Sequence, residues 1–168
     1  MSCIPRTIFA IGLFLIAPPA VADIIQIPAI TFTQRASSVL PGVAQGGTLT
    51  NANGKYYAAV PFPADSDGNS VCSFTLIHRD GDADSEINAR LFKKRIVLGS
   101  NPFTVGLVQM ARVHTGIIAG TSGVAAKTDT TIASSTLTLD SAFYYVELDV
   151  GSTLLEVLGV QINYSQVC

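Results

Sequence analysis

Phe143-Tyr144-Tyr145-Val146-Glu147-Leu148-Asp149-Val150 is the stretch on which the fold class turns. Side chains alternate across a strand, so Tyr144, Val146, Leu148 and Val150 share one apolar face. Phe143, Tyr145, Glu147 and Asp149 share the other. A helical period would scatter both sets around the axis; the period of two makes this a half-buried strand. After a Gly151-Ser152 turn, residues 154–164 repeat the pattern with Leu158, Val160, Ile162 and Tyr164, and the two segments read as a β-hairpin.

Working outward, residues 71–79 place Cys72, Phe74 and Leu76 on one face, with His78 continuing it, and Ser73, Thr75 and Arg79 on the other. Residues 87–98 fit a strand through Ile87, Ala89 and Leu91; the competing helical stripe, Ile87, Leu91 and Ile96, is weaker. Residues 103–113 are apolar on both faces (Val105, Leu107 and Val113 against Val108 and Met110), which predicts a central strand or one covered by another chain. Residues 115–126 read as a glycine-containing loop, 130–139 as a half-exposed strand, 55–62 as a strand and 36–53 as loop with a short strand. Pro28 interrupts a loose alternation over 24–34, suiting an edge strand or an arm free to join a neighbour's sheet. The expectation is an all-β, two-sheet antiparallel sandwich, jelly-roll-like, with Phe74, Leu76, Leu91, Val146, Leu148, Val160 and Ile162 in its core.

The order Ala89-Arg90-Leu91-Phe92, Met110-Ala111-Arg112-Val113, Tyr144-Tyr145-Val146-Glu147-Leu148 and Leu158-Gly159-Val160-Gln161-Ile162 resembles uncharacterised secreted bacterial β-sandwich proteins over residues 87–164. The resemblance implies the fold and carries no function or site residue with it.

The first 22 of the 168 residues read as a secretory signal peptide. Arg6 precedes an apolar run over 7–16, Pro18-Pro19 breaks it, and Ala20-Val21-Ala22 gives an A-x-A cleavage pattern. Residues 23–168 then form a single domain, secreted or periplasmic. Arg6 leaves with the signal, so twelve Asp/Glu face nine of the ten Lys/Arg, a net charge of −3. That balance argues against nucleic acid as a partner, and no later apolar run is long enough for a membrane helix. Cys3 falls before the apolar run, leaving Cys72 and Cys168 as a disulfide pair in an exported chain.

Chemistry is sparse. Asp80, Asp82, Asp84 and Glu86 form an acidic loop whose alternating carboxylates can converge on calcium, and no other cofactor is expected. Ser85 and Leu91 occupy the positions where an EF-hand needs Gly and Glu, and the competing reading is a solvated turn. His78 and His114 lack a nucleophile elbow, and Glu86, Glu147 and Glu156 cannot be paired from sequence, so no enzyme is predicted. Lys93-Lys94-Arg95 reads as a solvated basic face. Phe143 and Tyr145, on the polar side of their strand, are candidate ligand or interface residues in a chain with no Trp. Two function classes follow. The first is a non-catalytic surface or assembly protein, partnered by itself as a homo-oligomer; the alternative is a binding module for glycan or calcium.

Overall fold

The computed structural model describes residues 22–34, 43–45, 47–50, 53–82, 84–95, 106–116 and 123–168. The signal-peptide reading over 1–21 therefore lies outside the described residues, as do the expectations for 96–105. Two antiparallel sheets pack face to face. The first holds β1 (Asp23–Pro28), β3 (Val43–Gln45), β4 (Thr48–Thr50), β6 (Ser70–Asp80), β9 (Val124–Asp129) and β11 (Leu155–Ser165). Its order is β3-β4-β11-β6-β9, with β1 sharing the β4 side of β11. The second runs β2 (Thr33–Gln34), β5 (Gly54–Ala59), β10 (Ala142–Val150), β7 (Ile87–Arg95), β8 (Leu107–His114). Residues 87–95 are thus strand, as expected.

The predicted inner row of β10 is fully observed: Tyr144, Val146, Leu148 and Val150 are buried. They meet Phe74 and Leu76 from β6 and Val157, Val160 and Ile162 from β11 in one core, which Leu91 and Tyr56 complete. Each of these side chains, once removed from water, contributes about 1.5–3 kcal/mol.

The hairpin expectation fails. β10 pairs with β5 and β7, whereas β11 pairs with β6, β1 and β4 in the opposite sheet. A hairpin would have set both apolar rows side by side, leaving them to be covered by something else. Crossing at 151–154 makes each row the other's cover. Three further expectations change for local reasons. Residues 107–114 form an edge strand rather than a central one; Met110 is an extra residue opposite Leu91/Phe92, and this bulge makes one buried face look like two. Residues 124–126 join β9 instead of remaining loop. Residues 130–139 form no strand: a single bridge, Ser70 to Thr136, and the buried Leu137 anchor an irregular segment.

The N-terminal segment is not a free arm. β1 pairs along its whole length with residues 159–164 of β11, and a 3-10 turn at Ala29–Thr31 carries the chain across to β2, which pairs with β5. Thr31 Oγ1 donates to Pro28 O at 2.8 Å, fixing that corner. Among the described residues no helix is long and apolar enough to cross a membrane.

Candidate functional site

The outer face of the second sheet carries an aromatic surface. Pleating turns Phe143, Tyr145, Glu147 and Asp149 of β10 outward, and pairing sets Tyr145 opposite Phe92, Glu147 opposite Arg90 and Tyr57, and Asp149 opposite Lys55 and Asn88. Tyr145 stacks on Phe92 with ring centres 5.2 Å apart and lies 6.3 Å from Tyr57 at a tilt of 48°. Phe143, one step along the strand, is 60% exposed with Lys94 as its cross-strand neighbour. The result is three half-buried rings in a row across three strands, with Phe143 exposed beside the middle one.

A polar belt adjoins the rings. Arg90 donates to Glu147 Oε1 at 2.6 Å, and Lys55 lies 3.6 Å from the same carboxylate and 3.7 Å from Asp149. Arg112 grips Asn88 Oδ1 through two donors at 2.6 and 3.1 Å, while Asn88 Nδ2 donates to Glu86, whose other oxygen is 3.5 Å from His114 Nδ1. The Tyr145 phenol is pushed up by burial first, then by Glu147 and Tyr57, so at neutral pH it is a neutral donor. Past the belt, Asp84, Ser85, Glu86, Asn88, Asp149 and Gly151 line a shallow cleft of about 340 Å³. The face therefore sets a cluster of half-buried aromatic rings beside fixed charged hydrogen-bonding groups.

The two aromatics expected to matter, Phe143 and Tyr145, are both on this face. Phe92 and Tyr57 were not anticipated as part of it. Each stands on a different strand, and only the pairing register brings them beside Tyr145.

The acidic loop is arranged differently from a converging cage. Asp80, 5% exposed at the end of β6, accepts the Asp82 amide at 3.1 Å, and Asp82 in turn accepts the Asp84 amide at 2.9 Å. These are Asx turns, in which each carboxylate serves the backbone two residues on. Hydrogen bonding to Ser152, then to the Asp84 amide, lowers the Asp82 carboxyl. Glu86 faces Asn88 and His114 instead. Among the described residues no group of three or more His, Cys, Asp or Glu side chains gathers as a metal would require. Of the three glutamates, Glu86 and Glu147 both belong to the polar belt of the second sheet, whereas Glu156 pairs with Arg79 at 2.8 Å on the outer face of the other sheet.

Cys72 and Cys168 lie at bonding distance, with sulfurs 2.09 Å and Cα atoms 5.2 Å apart. Cys72 is the extra residue at the bulge opposite Asn163/Tyr164, so it leaves the row of Phe74 that strict alternation assigned it. His78 points into the core, 6% exposed. The basic triplet does not form one solvated face, because Lys93 is buried and donates to Thr136 O at 2.8 Å, 5.8 Å above the Tyr144 ring.

No family model matches the sequence, and no curated protein matches it. Among solved structures, the chain is similar to the C-terminal CBM6 of LamC, a marine laminarinase from Zobellia galactanivorans. The TM-score is 0.43 at 11% identity, over 83% of this chain and 98% of that one. It is also similar to the carbohydrate-binding module CBM6cm-2 of Cellvibrio mixtus lichenase 5A, solved with cellotriose, with TM-score 0.43, 12% identity, and coverage of 83% and 95%.

Proposed function

We propose that the chain is a secreted, non-catalytic module that binds glycan on the outer face of its second sheet. The observation that carries this reading is the ring row Tyr57–Tyr145–Phe92 with Phe143 exposed beside it, running directly into the Arg90–Glu147–Lys55 belt. Aromatic faces are electron-rich and favour the C–H face of a sugar ring. Its hydroxyls need donors and acceptors held in place, which paired charges supply. The export pattern at 20–22 and the cysteine pair support an extracellular setting.

The test is titration calorimetry of the purified protein against a panel of neutral and acidic soluble polysaccharides, with Phe143→Ala and Tyr145→Ala. Truncating a central aromatic anchor costs about 2 kcal/mol or more, so each variant is expected to bind at least about tenfold more weakly. Binding that survives both substitutions would place the site elsewhere. The competing use of this face is assembly of the chain with itself. No polysaccharide binding, together with a concentration-dependent dimer that Phe143→Ala dissolves in light scattering, would replace the glycan reading with that one.

A further inference from the structure

The strands of the second sheet turn Lys55, Arg90, Lys94 and Arg112 outward against Glu147 and Asp149, with Glu86 at the margin beside Asn88 and His114. A chain of net charge −2 thus surrounds its aromatic rings with a surplus of positive charge. Its arginines are not used alike. Arg79 and Arg90 each face a glutamate, at 2.8 and 2.6 Å, and such pairing cancels their charge locally. Arg112 is held by a neutral amide instead. Its Nε and Nη2 both donate to Asn88 Oδ1, at 3.1 and 2.6 Å, while Asn88 Nδ2 donates to Glu86. Asn88 is only 8% exposed, and this orientation of its amide is the one that serves both neighbours. Asp129, the carboxylate at the Arg112 main chain, spends its two oxygens on the Arg112 and Thr131 amides. The guanidinium is therefore positioned without being neutralised, with two of its five N–H donors committed to Asn88.

Register puts this cation beside the rings. β8 pairs Gln109 with Phe92 and Arg112 with Arg90, and the extra residue Met110 keeps Gln109 and Arg112 on the same exposed face. A strand spacing of about 4.8 Å sets both one strand beyond the ring row, at the rim of anything lying on Phe92 and Tyr145. We infer that the sugar taken by this face is a uronic acid whose carboxylate is read by Arg112, an inference that rests on the glycan reading of the face. A uronate carries its carboxylate on a ring carbon, so a pyranose stacked on the aromatic rings holds that group at its edge. There a planar guanidinium can offer it two parallel N–H donors. Arg112 would thereby set the choice of sugar, while the rings hold whatever sugar is chosen.

The test is titration calorimetry of the purified protein with polygalacturonate and with its highly methyl-esterified form, which share a backbone and differ in charge. The wild type should bind the acid about fivefold more tightly than the ester, the most an exposed ion pair supplies. That ratio should close in about 1 M salt, where the screening length is about 3 Å. Arg112→Gln, which keeps a donor for Asn88, should bind acid and ester alike. Should that variant fail to fold, Asn88→Asp decides, because a carboxylate under the guanidinium should erase the preference and a retained preference overturns the inference. Equal binding of acid and ester by the wild type overturns it and leaves the glycan reading intact; so does a preference that Arg112→Gln leaves undiminished. Binding of neither form also overturns it, and if no polysaccharide of the wider panel binds, the glycan reading falls with it. Dextran sulfate against dextran is the second arm. A preference there with none for polygalacturonate makes the anion a sulfate and overturns the uronate.

Discussion

A single histidine on β6 sets how this protein should respond to mild acid. His78 faces the core with Nδ1 unpartnered among the described residues. Burial pulls its pKa below the ordinary 6.5, a backbone hydrogen bond at Leu76 and the Asp80 carboxylate oppose the shift, and Lys127 adds to it. The unfolded chain therefore takes up the proton first. The stability tied to His78 is complete above about pH 6.5 and declines as pH falls below that value. Urea midpoints measured from pH 7.5 to 5 should fall in the wild type and stay flatter in His78→Gln; parallel curves would assign the acid sensitivity to other groups. Residues at this scale were unevenly legible. The outward turn of Phe143 and Tyr145 followed from alternation alone. Lys93 did not, because a basic triplet looks solvated until strand parity sends its first member inward, where a four-carbon stem packs and the ammonium finds Thr136 O.

Among the elements, legibility tracked regularity. β10 keeps its period without interruption, and its two faces in the sequence are its two faces in the fold. β6, β8 and β11 each contain an irregularity, at Cys72, Met110 and Leu158, and a one-residue shift moves every later side chain to the opposite face. This is why Leu158 was assigned to the inner row that Leu155 and Val157 occupy before the shift and Val160 and Ile162 after it. Of the three irregular positions, only Leu158 is followed by a glycine. Gly159 sits beside β1 so closely that a Cβ there would come within 2.8 Å of Ile27 O. Backbone on backbone cannot yield without moving the strand. Gly159→Ala should loosen β1 from β11, seen as faster hydrogen exchange at the Ile25 and Ile27 amides while the β10 amides keep wild-type protection. Uniform protection across both strands would mean that the sheet absorbs the methyl group.

For the whole molecule, composition and turn spacing sufficed for a two-sheet sandwich, but strand order was out of reach because it depends on which apolar row covers which. The same non-local character makes the cysteine pair matter. β6 and β11 are neighbours in the first sheet, yet Cys72 and Cys168 are 96 residues apart in sequence. A covalent link across such a loop removes much of the unfolded chain's freedom, a contribution of roughly 4–5 kcal/mol in the chain-entropy model, with measured losses of native bridges nearer 2–5. It does so without adding to the core, so the folded structure should persist when the link is absent. We expect the doubly substituted Cys72→Ser/Cys168→Ser protein to keep a β-type circular dichroism spectrum and lose about 2–5 kcal/mol in urea unfolding. The fall in Tm should be about 2–4 °C for each kcal/mol in a domain of this size. Its urea m-value should rise, since an unlinked chain exposes more surface on unfolding. An unchanged midpoint, or two titratable thiols in the native oxidised protein, would remove the bridge from the account of stability. Loss of the β spectrum itself would show that the bridge is needed to form the sandwich as well as to stabilise it.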